Sequence, residues 1–283
     1  PGPSRPVKPV CRCGTGRQHG AELMAKHRAR KRFGQHFLGV PGILDGSVRA
    51  VHAAGDVIFV EFGPGQGAVT DALAHSAGHL HAVELDRDLV ARLRRRYEDR
   101  PNVTVHEADA LQFDFASLGD RIRVVGNLPY NISTPLLFHL LKFRNRILDM
   151  HFMLQKEVVD RMAASPGSKA YGRLGIMLGC HLHIESLFDV PREAFEPPPE
   201  VTSAVVRLDP LPPGTFDIQD EAGLSTLVST AFMQRRKTLR NSLKKSVDAI
   251  DFEAVGIDAS LRPEQVSIAD YVRLSNHLRQ KTP

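Results

Sequence analysis

One stretch limits the architecture more than any other: Val57–Phe62, VIFVEF, runs directly into Gly63-Pro-Gly-Gln-Gly67. The run is apolar and rich in β-branched residues apart from Glu61, and it is short enough to read as a buried strand rather than a helix. The glycines behind it let the chain turn sharply and let a ligand approach the backbone. A strand, a glycine turn and a helix open a ligand-binding βα unit, with its crevice at the carboxyl ends of the strands. An α/β fold built on a parallel sheet is therefore expected.

The rest of the first two-thirds keeps that rhythm. His79–Glu84 (HLHAVE), Val103–His106, Ile122–Gly126 (IRVVG) and Met150–Leu154 read as further strands. Between them lie a helix that contains Leu73 and ends near Gly78, a helix over Leu85–Tyr97 with Leu85, Leu89 and Leu93 as its apolar stripe, and a helix over Leu136–Leu141. Strands alternating with helices mean βαβ units and a sheet covered on both faces. Val201–Leu208 reads as a late strand suited to an antiparallel position, and Asp209–Gly214 (DPLPPG) breaks the pattern. Beyond the break the pattern is helical throughout. The expected organisation is an α/β domain over residues 24–210 and a small α-helical domain over 211–283. Residues 1–23, rich in Pro, Gly and Arg and without periodicity, read as a disordered extension or expression remnant ahead of Met24, a plausible native start.

Composition excludes several classes. No apolar run approaches the ~18 residues that cross a bilayer, and no secretory h-region precedes the fold. A soluble, cytoplasmic, monomeric protein without a membrane partner is expected. Cys11, Cys13 and Cys180 are too few for a disulfide framework, and no second Cys/His pair accompanies Cys11 and Cys13, so no metal site is expected. The net charge of +5 points to a polyanionic partner only where it is clustered.

Glu84 ends the second predicted strand, where a carboxylate can take a ribose diol. Asp109, after the third, is suited to an adenine amino group. Gly63-x-Gly65-x-x-Ala68 also satisfies the looser dinucleotide fingerprint, and Glu84 suits either ligand. The glycine loop thus leaves S-adenosylmethionine and a nicotinamide or flavin dinucleotide both open. Asn127-Leu128-Pro129-Tyr130 separates them, because it follows IRVVG at the sheet's carboxyl edge. A nucleobase amino nitrogen is a poor nucleophile, since its lone pair is delocalised into the ring. Two acceptors aimed at its hydrogens, the Asn127 side-chain oxygen and the Leu128 carbonyl restricted by Pro129, draw it toward sp3. Tyr130 offers a stacking face for a base taken out of its helix. Transfer from a sulfonium then depends mostly on alignment.

These residues resemble the bacterial small-subunit (16S) ribosomal RNA adenine dimethyltransferase family. The similarity runs from Arg30 to about Leu274. It includes Lys31-Arg-Phe-Gly-Gln-His-Phe-Leu38, the glycine loop, Glu84-Leu-Asp-Arg87, Asn127-Leu-Pro-Tyr-Asn-Ile-Ser133, Met153-Leu-Gln-Lys-Glu157, Ser168-Lys-Ala-Tyr-Gly-Arg173, Phe195-Glu-Pro-Pro-Pro-Glu-Val201 and Gln234-Arg-Arg-Lys-Thr238. The resemblance implies a Rossmann-like class I methyltransferase sheet with a small C-terminal α-helical domain. It implies N6,N6-dimethylation of two adjacent adenines near the 3′ end of small-subunit rRNA, in a ribosomal particle, with S-adenosyl-L-methionine as cofactor. Cofactor contacts are implied at His36, Leu38, Gly63, Gly65, Glu84, Asp109 and Asn127, and Phe195 as a second wall against the target base. Many members carry Asn where this chain has His36. Related alternatives are the large-subunit methyltransferases of macrolide resistance, a mitochondrial transcription factor of the same fold, and an RNA-binding ribosome-assembly factor whose methylation is incidental.

Two basic clusters are expected to meet RNA phosphates. One contains Lys26, Arg28, Arg30, Lys31 and Arg32. The other, Arg235, Arg236, Lys237, Arg240, Lys244 and Lys245, reads as one helical stretch with Phe232, Leu239 and Leu243 inward. Arg236, Arg240 and Lys244 then form an outward i, i+4 stripe. A third run, Arg92, Arg94, Arg95 and Arg96, reads as a solvated face.

Overall fold

The structure is a computed structural model that describes residues 57–281 and, by backbone pairing, Phe37–Leu38 (β1). The expectations for residues 1–32 and for His36 lie outside the described residues. In chain order the further strands are β2 (Ile58–Phe62), β3 (His79–Glu84), β4 (Val103–Glu107), β5 (Ile122–Asn127), β6 (Ile147–Gln155), β7 (Leu182–Val190), β8 (Phe195–Glu196) and β9 (Ser203–Pro210). The helices are α1 (Ala68–Leu73), α2 (Arg87–Arg96), α3 (Ser133–Leu141), α4 (Lys156–Met162), α5 (Arg173–Gly179), α6 (Glu221–Met233), α7 (Leu239–Leu243), α8 (Ala249–Ala254) and α9 (Ile268–Lys281).

Seven strands make one sheet in the order β4-β3-β2-β5-β6-β9-β7. The first five are parallel, and β9 alone runs against both of its neighbours. Alternate residues of the central strands enter different cores: Val60, Phe62, Ile122 and Val124 face one, Phe59 and Val125 the other. Burial on both faces is why these strands read as nearly unbroken apolar runs. The order places the ends of β2, β3 and β5 side by side, and that edge carries the glycine loop, Glu84 and Asn127.

Four expectations need correction. The helix after β3 starts at Arg87, because the Asp86 side chain caps it by accepting from the Asp88 N–H. Leu85 therefore lies outside it and is 52% exposed, and the buried stripe is Leu89, Val90 and Leu93. The late strand is Ser203–Pro210, and Val201 is exposed. β7 has no counterpart among the strands expected from the sequence: it is an edge strand with exposed His183, Glu185 and Ser186. Finally, the basic stretch is not one helix. α6 stops at Met233 and α7 starts at Leu239, where the N–H groups of Leu239 and Arg240 bond to the carbonyls of Leu261 and Ala259. Arg236 and Arg240 thus belong to different segments, and the i, i+4 stripe does not form.

After Pro210 the described chain is helical, as expected. Its core is not closed by its own residues. Tyr171, Ile176, Met177 and Cys180, from before the proline-rich break, pack with Leu224, Val228, Leu239, Leu243, Phe252 and Tyr271.

Candidate active site

A cavity of about 430 Å³ opens at the carboxyl ends of β2, β3 and β5. Gly63, Gly65, Glu84, Asp109, Asn127, Leu128, Pro129 and Tyr130 all line it. The fold therefore brings together every site residue expected between positions 63 and 130.

Glycine is required at the loop for two different reasons. Gly63 has φ 65°, and a Cβ there would stand 3.3 Å from the Asn127 carbonyl oxygen. Gly67, at φ 87°, lies against the Tyr97 hydroxyl, which a Cβ would meet at 2.8 Å. Two loop carbonyls are also held from α2. Arg96 Nη1 donates to the Gln66 carbonyl at 3.0 Å, and the Tyr97 hydroxyl reaches the Gly67 carbonyl at 3.3 Å and Asp71 Oδ1 at 2.7 Å. Arg96 pairs with Asp71 as well.

Glu84 is buried, with its carboxylate shared among backbone donors. Oε1 accepts from the N–H groups of Leu85 and Asp86, both at 2.9 Å, and Oε2 from Gly65 at 3.2 Å. A carboxylate has about four acceptor positions. Ribose binding through both oxygens thus needs a displaced backbone N–H, whereas Oε2 has a position to spare. Burial raises the Glu84 pKa, against the smaller opposing pull of the N–H bonds. Asp109 uses Oδ1 to hold the Leu111 N–H at 2.9 Å and Oδ2 to accept from Gln112 at 3.3 Å.

Sequence reasoning passed over part of the cavity wall. Glu61, the one polar residue of VIFVEF, lines it and is buried to 2% exposure. Burial pushes its carboxyl to about 8, and the charges of Glu84 and Asp71 add to that, against the pull of the Thr70 hydroxyl. Thr70 Oγ1 donates to Glu61 Oε2 at 2.6 Å. The acid in an otherwise apolar strand was its signal. Leu85 and Leu111 supply apolar wall on either side of the glutamate and aspartate. In the sequence Leu85 reads as part of a helix stripe, which hides its place on the wall.

The Asn127–Tyr130 segment leaves β5 and turns into α3. The Leu128 N–H donates to the Met153 carbonyl at 3.3 Å, and the Ile132 N–H to the Pro129 carbonyl at 3.1 Å. Ser133 Oγ donates to the Tyr130 carbonyl at 3.1 Å, and the Tyr130 hydroxyl bonds Ser203 Oγ at 3.0 Å. Phe195 is 4% exposed and packed with Met153, Val190, Ala194 and Val205. Leu38, implied as a cofactor contact, is placed by its backbone: β1 pairs with β8, Leu38 opposite Phe195.

The basic residues divide. Arg236, Lys237, Arg240, Lys244 and Lys245 are exposed. Arg235 is spent internally: it donates to the carbonyls of Ser168 at 3.4 Å and Lys169 at 2.7 Å and faces Glu264 at 3.6 Å. Among the described residues no group of His, Cys, Asp or Glu is arranged to hold a metal, and no helix is long and apolar enough to cross a membrane.

S-adenosylmethionine fits this cavity. The volume lies within the usual range for a cofactor pocket, the glycine loop presents bare backbone, and an acid stands beside apolar walls. Sheet, loop and Asn-Leu-Pro-Tyr mouth together define a class I methyltransferase that uses S-adenosyl-L-methionine. The model of the ribosomal RNA adenine dimethylase family matches residues 26–280, and the chain belongs to that family. It is 55% identical over 260 residues to a ribosomal RNA small subunit methyltransferase A of Aromatoleum aromaticum, covering 92% of this chain and 98% of that one. A dimethyladenosine transferase of Plasmodium falciparum, known from its crystal structure, superimposes with a TM-score of 0.77 at 26% identity, covering 87% of this chain and 98% of that one. The 23S rRNA methyltransferase ErmE, at TM-score 0.70 and 22% identity, shares the fold.

Proposed function

We propose that this protein dimethylates the N6 of two adjacent adenines near the 3′ end of small-subunit ribosomal RNA, acting as a monomer on a ribosomal particle in the cytoplasm. The observation that carries the reading is the shared cavity: Asn127, Leu128 and Tyr130 line the same space as Glu84 and the glycine loop. The small-subunit relative at 55% identity supports that RNA as the substrate.

S-adenosylmethionine, when bound, supplies an electrophilic methyl group on a sulfonium. The chain's part is to hold the cofactor and to shape the nucleophile. Glu84, Gly63, Gly65 and Asp109 hold the cofactor. The Asn127 amide oxygen and the Leu128 carbonyl accept from the adenine amino group and direct its lone pair outward. Leu128 is a stable platform because its own N–H is tied to β6 through Met153. Tyr130 stacks on the base. No side-chain base is needed, since the methylated ammonium is strongly acidic. Residues 24–210 carry this chemistry. Residues 211–283 dock the RNA through Arg236, Lys237, Arg240 and Lys244, with the core of that unit completed by Tyr171–Cys180.

Incubation with methyl-labelled cofactor and undermethylated small-subunit particles, followed by nucleoside analysis, is expected to yield labelled N6,N6-dimethyladenosine. Label on cytosine or guanine overturns the reading. Asn127→Ala is expected to bind particles normally while single-turnover methylation falls by about 10²–10³, the scale of losing one placed polar group at a reacting atom. A normal rate in that variant removes Asn127 from the mechanism.

A further inference from the structure

We infer that Ser203 is a positioning residue for methyl transfer, holding the plane of the Tyr130 ring through its phenolic oxygen. The inference rests on the reading of Tyr130 as the platform for the target base. Ser203 is 1% exposed, and its hydroxyl bonds the Tyr130 hydroxyl at 3.0 Å. Among the described residues the Ser203 hydroxyl has no other partner.

The topology explains how a residue so far along the chain reaches the mouth of the cavity. β9 is antiparallel to its neighbours, so its first residue lies where the parallel strands end, opposite Gln155 of β6 and Val190 of β7. Each end of the tether is thus fixed by a different part of the sheet. The Tyr130 backbone is set by the turn after β5, with its carbonyl accepting from Ser133. The far end of the ring is set by β9. A side chain held only at Cα turns about two torsions, and a stacking surface needs a defined plane. Anchoring the para oxygen removes that freedom while the ring still lines the cavity. The partner is matched in kind: a buried serine hydroxyl without the phenol would be a polar group left without a bond, which disfavours other ring orientations.

The test is a double-mutant cycle on single-turnover methylation of undermethylated small-subunit particles, with cofactor affinity by calorimetry and melting temperature measured alongside. Ser203→Ala and Tyr130→Phe are each expected to slow methylation about tenfold, the scale of one buried hydrogen bond lost. The double variant should be no slower than the slower single variant, because both substitutions delete the same bond. Cofactor affinity should stay within about twofold. Losses that multiply, or a wild-type rate in Ser203→Ala, overturn the inference and leave Ser203 a packing residue of β9. If Ser203→Ala does not fold, Tyr130→Phe decides alone, and a wild-type rate there overturns it equally. Tyr130→Ala separates the two levels of the argument. A wild-type rate in that variant sinks the platform reading itself. A large loss there beside a normal Ser203→Ala sinks only the tether.

Discussion

Arg92–Arg96 on α2 and Arg235–Lys245 around α7 are similar strings of cations in the sequence, and the fold treats them differently. Arg94 lies over the Val105 carbonyl, donating from Nε at 3.4 Å and Nη2 at 3.3 Å, and so ties α2 to β4. Arg96 ties the same helix to the glycine loop. In the second string, Arg236, Lys237, Arg240, Lys244 and Lys245 make no side-chain hydrogen bond or ion pair among the described residues, and only Arg235 is turned inward. Charge density does not distinguish the strings. The acceptors within reach do: α2 packs against an edge strand and a loop with open carbonyls, while the turn after α6 faces solvent. A solvated cation keeps its field for a polyanion, whereas a paired one serves the fold.

The contrast can be broken most forcefully by changing Arg236, Arg240 and Lys244 to Gln together. If all three meet phosphates, the log–log salt slope of particle binding falls by about 2–3, at roughly 0.7–0.9 per contact, with cofactor affinity unchanged. An unaltered slope makes this surface no more than solvated charge. Arg96→Ala should do the reverse, weakening cofactor binding about threefold to tenfold through a loosened glycine loop, on the scale of its hydrogen bond. Its salt slope should stay at the wild-type value, and a lower slope would move Arg96 into the docking set. The smallest effect is expected from Arg235→Ala. Its partners are partly exposed, so thermal unfolding should show a loss of only about 1 kcal/mol, with less than one contact's worth of change in slope. A full contact's loss of slope at constant stability would return Arg235 to the RNA.

How far the sequence spoke depended on whether the deciding forces were local. β3 is legible to the residue because Gly78 precedes His79 and the apolar run of HLHAVE stops at the acid Glu84, both local signals. The cavity residues from Gly63 to Tyr130 were legible because strand ends and glycines mark themselves. Leu85 was misread because i, i+4 spacing continues backward past a cap that only a side-chain bond reveals. The break at 234–238 contains neither Pro nor Gly, and its cause is distant: the N–H groups of Leu239 and Arg240 are claimed by Leu261 and Ala259. β7 was invisible because an edge strand does not need apolar alternation. The packing of Phe195 with Met153, Val190 and Val205 joins β6, β7 and β9, a partnership that no local pattern encodes.

The insertion of β9 between β6 and β7 has a consequence for the chain as it leaves the ribosome. β6 is buried along nearly its whole length, from Ile147 to Leu154, and one flank pairs with β5. Its other flank pairs with a strand that begins only at Ser203. During synthesis β6 therefore waits with an apolar, unpaired edge, the kind of surface on which chains aggregate. β7 emerges in the interval but cannot close the gap, because its own place is on the far side of β9. That flank of β6 thus stays open until Ser203–Pro210 has been made.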